Sequence, residues 1–347
     1  MRRGDKAALR LTIGLGLAAF IAYGFALSVP YVVCVMAVLV LCKPGPPLPL
    51  LKAVVVALMF AALVAAGVLM VPLLEHYAVV GMLLTAVLLF ALFFVGQLRK
   101  QPLTTVLVLG FTLIPIAGVS EQALVSVLSV ALAVGVLVGA VVSAASNAVF
   151  PDPPRPAAAA ELATAPDRDS ARWIALRGTL IVMPVFMLAL TDPSFYLAAI
   201  MKTVALGQQA GETDARHAGR ELVGSTLKGA LIALAVWFGL SLWPSLWMLM
   251  LWLMAATLWA GSALFGARRT RLRPSFWSNA LITALILLGP AIEDSASGKS
   301  VLEGAVMRVS LFVGVALYAW ATVWALERWR ARPLRATASD VSLEESP

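Results

Sequence analysis

The chain has 347 residues, 61% of them apolar and only 13% charged, with a net charge of +8 and a mean hydropathy of +0.93. A sequence this apolar cannot fold in water without exposing large hydrophobic patches, so its solvent is lipid and no soluble domain fits anywhere along it. Because lipid offers the backbone no hydrogen-bond partner, the spans must be helices or a closed barrel, and the apolar runs lack the strict alternation of barrel strands.

The first run, Leu11 to Ala26 behind Arg2 and Arg3, has the outline of a secretory signal peptide ending at Ala26-Leu27-Ser28, but a counterpart in the second half argues for a retained helix. Breaks at Pro, Gly and charge clusters predict helices near 9–28, 30–43, 50–71, 76–97, 102–118 and 121–149. A second set follows near 173–191, 193–208, 222–242, 245–266, 275–290 and 300–327. The second and eighth are shorter than the ~20 residues a perpendicular span needs, so they stop partway or sit in thinned bilayer. Cys34 and Cys42 lie in an apolar run and read as small core fillers, neither metal ligands nor a disulfide. Ala131, Gly135, Gly139 and Ser143 form a stripe of small residues suited to close helix packing.

Lys and Arg concentrate on alternate loops, with only Lys299 and Arg308 toward the other face. The positive-inside rule then predicts an even number of spans in each half and both termini in the cytoplasm. The net charge is accounted for by this topology and by attraction to anionic lipid, so it implies no nucleic-acid partner. Trp237, Trp243 and Trp247 flank Pro244 and read as an interfacial belt.

Landmarks recur between the halves. Ala8-Leu9-Arg10-Leu11-Thr12 matches Ala175-Leu176-Arg177-Gly178-Thr179, Pro30 matches Pro193, Pro72 matches Pro244, and Pro115 before Glu121 matches Pro290 before Glu293. The expected architecture is an all-α integral membrane protein of about twelve transmembrane helices, arranged as two parallel six-helix repeats. The first repeat covers 1–150 and the second 173–330, joined by a Pro/Ala-rich cytoplasmic linker at 151–172 and followed by a disordered tail at 331–347.

Ionisable groups inside a bilayer cost about 2.5–3.5 kcal/mol each on insertion scales, so each one present asks for a reason. Lys202 sits more than two turns into the eighth helix, where it either lines a pathway or snorkels to the cytoplasmic interface. Arg308 is on the side that should be free of arginine, and either faces a central path or makes a structural ion pair. Asp192 caps the eighth helix or couples protons, and Glu303, Glu293 and Asp294 are the other carboxyl candidates, the last two more simply solvated. A substrate path should bring Lys202, Arg308, Asn279 and Thr283 to one cavity, whereas a scaffold would point them at separate neighbours. His76 and His217 have no metal-ligand company, and no nucleotide-binding, hydrolase or metalloprotease motif occurs, so neither an enzyme nor a metal or other cofactor is expected.

The segment Gly219-Arg220-Glu221-Leu222-Val223-Gly224-Ser225-Thr226-Leu227-Lys228-Gly229 reads R-x-x-x-G-x-T-x-x-G. It resembles the signature of the fusaric-acid-resistance and aromatic-acid-exporter-like superfamily, carried here by Arg220, Gly224, Thr226 and Gly229. The six-plus-six layout, Arg177-Gly178-Thr179 and Pro193 look like that superfamily too, although the large cytoplasmic domains of its longer members have no counterpart here. The motif residues would serve coupling or a tight cytoplasmic turn. The resemblance implies an efflux protein of the bacterial inner membrane, driven by the proton gradient and working with a periplasmic membrane-fusion protein of the HlyD type. The expected function is export of small aromatic or amphipathic organic acids, and the alternative is a non-transporting subunit that anchors a secretion complex. Expected partners are the lipid bilayer, the organic-acid substrate, the fusion protein and further copies of the chain.

Overall fold

The computed structural model describes residues 3–42, 55, 67–98, 104–151, 167–212 and 215–344. In chain order the helices are α1 (Arg3–Gly24), α2 (Pro30–Leu41), α3 (Gly67–His76), α4 (Ala78–Leu98), α5 (Thr104–Ser120) and α6 (Gln122–Val149). They continue with α7 (Arg168–Thr191), α8 (Pro193–Glu212), α9 (Ala215–Leu242), α10 (Leu246–Leu264), α11 (Pro274–Ala296) and α12 (Val301–Glu344). No strand occurs among the described residues. Eight helices, α1, α4, α6, α7, α9, α10, α11 and α12, contain stretches long and apolar enough to cross a membrane. The chain is a helical, multi-pass membrane protein.

Helix starts lie earlier than charge clusters alone suggest: α1 at Arg3, α7 at Arg168 and α9 at Ala215. Backbone hydrogen bonding runs on through polar first turns, whose residue types do not break a helix. α12 likewise stays helical to Glu344, through the stretch expected as a disordered tail. Most of the third expected helix, near 50–71, and the linker residues 152–166 lie outside the described residues. Glycines in the left-handed region follow two of the helices, Gly266 (φ 71°) after α10 and Gly298 (φ 72°) after α11, where a residue with a Cβ would be strained.

Helix α2 has twelve residues and rises about 18 Å. It is apolar on every side, and Tyr31 through Leu39 and Leu41 are all buried, as befits a helix surrounded by other helices. Helices α5 and α11 and the middle of α8, Ala198 to Leu206, are buried in the same way. By contrast α4 and α12 expose Leu83, Val87, Leu317 and Trp324, an apolar surface that only lipid or another protein can cover.

The packing pairs are regular. Helix α1 packs on α10 and α7 on α4; α2 packs on α11 and α8 on α5; α2 also packs on α6 and α8 on α12. The small-residue stripe of α6 serves the α2 contact: an added Cβ at Gly135 would lie 3.3 Å from the Val33 Cα, and one at Gly139 3.3 Å from the Ala37 Cα. Two arginines tie α1 to α6 and α7 to α12. Arg10 donates to Asn147 Oδ1 on α6 (2.6 Å), and Arg177, buried, pairs with Glu327 on α12 while also donating to the Ala210 carbonyl at 3.0 Å. Thr12 and Thr179, two residues after these arginines, both donate to the carbonyl four residues back.

The Arg177–Glu327 pair should contribute measurably to stability, because Arg177 has only 6% of its side chain exposed. Glu327→Gln should cost about 1.5–3 kcal/mol, seen as a lower melting temperature in detergent; an unchanged melting temperature would show the pair to be dispensable.

Candidate functional site

Residues seven apart or four apart on a helix share a face, and three such faces converge. Lys202 and Gln209 lie on one face of α8, Asn279 and Thr283 on one face of α11, and Ser225 and Gly229 on one face of α9. Lys202 is near the middle of α8, nine residues after Pro193 and ten before Glu212. Its side chain has no exposed surface, so the ammonium does not snorkel to an interface. It donates to Asn279 Oδ1 at 3.1 Å and to Thr283 Oγ1 at 2.6 Å.

The second sphere of bonds locks these acceptors in place. Asn279 Nδ2 donates to Gln209 Oε1 (2.6 Å) and to Ser225 Oγ (2.7 Å), while Thr283 Oγ1 donates to the Asn279 carbonyl (2.6 Å). Gln209 Nε2 donates to the Glu221 backbone carbonyl at 3.2 Å. That leads to the end of the bundle, where the Glu221 carboxylate pairs with Arg273 at 3.4 Å. All five side chains, Lys202, Gln209, Ser225, Asn279 and Thr283, are buried.

Among the described residues no carboxylate lies within ion-pair distance of Lys202. The cluster offers the ammonium neutral dipoles only, and a charge held this way in a low-dielectric interior lacks the partner that would offset its desolvation. Chemically, the arrangement is a buried amine with hydrogen-bonding neighbours, and a charge on it would be suited to an anion.

The motif residues sit inside α9 rather than in a turn, because the helix is continuous from Ala215. Arg220 is exposed, and Thr226 donates to the Leu222 carbonyl at 2.8 Å. Gly224 and Gly229 instead allow α11 to approach: a Cβ on Gly224 would meet the Phe276 ring at 3.2 Å, and one on Gly229 would come within 2.5 Å of Thr283 Cβ and 2.6 Å of the Ala280 carbonyl oxygen. The role of these glycines is therefore packing that brings Thr283 and Asn279 to Lys202.

The remaining expected residues lie elsewhere. Arg308 does not join the cluster: it donates to Asp294 Oδ2 at 2.7 Å, bridging α12 to the end of α11. Asp294 is eleven residues beyond Thr283, about 16 Å along the helix. Arg308 thus corrects the expectation of one shared cavity, and Asp294 is an ion-pair partner rather than a freely solvated loop residue. Glu303 accepts from Ser300 Oγ at 2.6 Å at the start of α12, and Asp192 accepts from the Phe195 N–H at 3.1 Å, so both act at helix N-termini. An apolar crevice lined by Leu15, Ile232, Leu253, Leu281 and Leu285 opens on the opposite face of α11 and does not reach Lys202.

Neutralising either member of the outer pair should lower stability by about 1–3 kcal/mol, and the double variant Arg308→Gln with Asp294→Asn should be no less stable than either single one. Additive losses in thermal unfolding would show that the two charges are not coupled.

Gln209 and Ser225 escape the sequence reading. Gln209 falls one residue past the expected end of its helix, and Ser225 occupies a variable position of the motif, yet the seven-residue spacing from Lys202 to Gln209 is a signal that both polar groups face one neighbour.

Residues 7–146 match the model of a family described as a protein of unknown function (DUF2955). The matched stretch runs from α1 into α6 and contains none of the Lys202 cluster. No curated protein and no solved structure matches the chain.

Proposed function

We propose that this chain is an exporter of small organic anions, aromatic or otherwise amphipathic carboxylates, in which Lys202 is the fixed charge that selects them. The observation that carries this reading is a fully buried ammonium at the middle of α8, held by Asn279 and Thr283 with no carboxylate partner among the described residues. An incoming carboxylate would supply the missing counter-charge. Asn279 and Thr283 would keep the ammonium aimed at it, and the network through Gln209 and Ser225 would keep those two residues from rotating away.

The finer architecture belongs to the same proposal: twelve spans in two parallel six-helix repeats with cytoplasmic termini. It is supported by packing pairs that recur at an offset of six helices, α1 on α10 with α7 on α4 and α2 on α11 with α8 on α5. The matching arginine bridges of α1 to α6 and of α7 to α12 support it as well. Under this alignment only one half carries the charge, since the stretch of α2 corresponding to Lys202 is apolar throughout. The sequence resemblance to the aromatic-acid-exporter-like superfamily points the same way. With no nucleotide-binding motif in the sequence, the energy would come from an ion gradient or from a partner, and the bacterial inner membrane with a periplasmic fusion protein is the proposed setting.

The test is export, or rescue from toxicity, for a panel of aromatic acids in cells making the chain, with and without a proton uncoupler. Export that the uncoupler abolishes supports the reading. Equal accumulation with and without the chain overturns it. The competing reading, a membrane anchor for a secretion complex, is favoured by the Arg308–Asp294 bridge, a purely structural use of charge; it predicts that every effect disappears when a neighbouring subunit is deleted.

A further inference from the structure

Away from the Lys202 cluster, cations and indoles gather on the outer seam between α9 and α10. Lys228 Nζ lies 4.8 Å from the centre of the Trp259 ring, and the Arg268 guanidinium carbon lies 4.7 Å from the same ring and 5.4 Å from that of Trp277. Trp277 stands edge-on to Trp259 at 5.1 Å and 81°. The backbone places Arg268 there: Gly266, with φ 71°, turns the chain so that the Arg268 N–H bonds back to the Ser262 carbonyl at 2.8 Å.

Among the described residues neither cation pairs with a carboxylate. Both lie within 5 Å of one ring centre, so they are no farther apart than the sum of those two distances and border the same indole. The buried Trp277 indole N–H has no acceptor either, leaving a third unmatched donor in the group. Trp259 is 39% exposed, so the cluster opens outward rather than into the core. From it an apolar surface continues along both helices through the exposed Leu227, Leu231 and Leu234 of α9 and Leu251 and Leu258 of α10.

We infer that this seam binds one anionic phospholipid, its phosphate between Lys228 and Arg268 and its acyl chains along α9 and α10. Charge complementarity selects the anionic headgroup, since a zwitterionic lipid brings its own cation to the phosphate. The apolar track selects a lipid over a soluble phosphate, because hydrocarbon surface flanks the cations and a free anion would leave it uncovered. Aromatic faces hold both cations at the interface without neutralising them. The site is separate from the Lys202 cluster and does not depend on the proposed transport activity.

The test is native mass spectrometry of the full chain in neutral detergent, titrated with phosphatidylglycerol, with phosphatidylcholine of the same chains, and with glycerol 3-phosphate. Phosphatidylglycerol should be retained in preference to the other two. Arg268→Gln should weaken that retention about fivefold, and Lys228→Gln with Arg268→Gln about twenty-five-fold, while Arg269→Gln with Arg271→Gln, an equal loss of charge on the same connection, should leave it intact. Equal retention of phosphatidylcholine, equal loss in the control pair, or equal binding of glycerol 3-phosphate would each overturn the inference. If the double variant does not fold, Arg268→Gln alone decides, and thermal stabilisation of the unaltered chain by phosphatidylglycerol over phosphatidylcholine gives the same answer without substitution.

Discussion

Replacing Lys202 with Met should reduce export of an aromatic acid by about a hundredfold while leaving the folded protein as stable as before, or more so. The transport loss follows from removing a desolvated charge contact, which is worth about 2–5 kcal/mol when its partner is bound. The stability result has the opposite cause. In the free protein the ammonium is buried against neutral dipoles only, so Met removes a desolvation cost of several kcal/mol and leaves one acceptor, Asn279 Oδ1, without its donor, at about 1–3 kcal/mol. Thr283 keeps its bond to the Asn279 carbonyl. Transport assays in vesicles and thermal unfolding on the same preparation check both halves. A variant that exports normally removes Lys202 from the mechanism, and one that unfolds shows the ammonium to be structural.

Gly229→Ala should strongly destabilise the packing of the site helices. Its Cβ would fall 2.6 Å from the Ala280 carbonyl oxygen and 2.5 Å from Thr283 Cβ, contacts with rigid atoms that cannot rotate away. Helices α9 and α11 would have to separate, at about 3 kcal/mol or more, and Thr283 would be carried off Lys202. Gly314→Ala in α12 is the matching control. Nothing lies within 4 Å of its Cβ, and alanine at an open helix position should stabilise by about 0.5–1 kcal/mol. Melting temperatures moving in opposite directions for the two substitutions would confirm that proximity, rather than helix propensity, sets the role of Gly229.

The membrane setting and the helix positions are legible in the sequence because long apolar runs leave lipid-spanning helices as the only way to satisfy the backbone. Helix ends are not, since charged first turns such as those of α7 and α9 continue the hydrogen-bond ladder beyond the apolar run. The meeting of Lys202, Asn279 and Thr283 could be anticipated, as each is a polar group on an otherwise apolar helix and Asn279 and Thr283 share a face. The partner of Arg308 could not. Asp294 is fourteen residues earlier across a hairpin whose geometry depends on Gly298 in the left-handed region, and no periodicity relates residues on opposite sides of such a turn. The motif glycines were visible, but a pattern of glycines does not distinguish a tight turn from a close helix crossing until the neighbouring helix is known.

Helix α2, short and enclosed, bears on the electrical work of moving an anion. Its twelve residues rise about 18 Å, against a hydrocarbon thickness of about 30 Å, so either one of its ends stops short of the headgroups or the bilayer is thinned around it. Where water reaches down to both ends, the membrane voltage drops across the shorter distance, and the field there is steeper than in the surrounding bilayer by roughly the ratio of the two lengths. A charge passing this level would do most of its work against the potential, about 2.3 kcal/mol per elementary charge for each 100 mV, within a few helical turns. Voltage would then act on the protein chiefly at the depth of its enclosed helices.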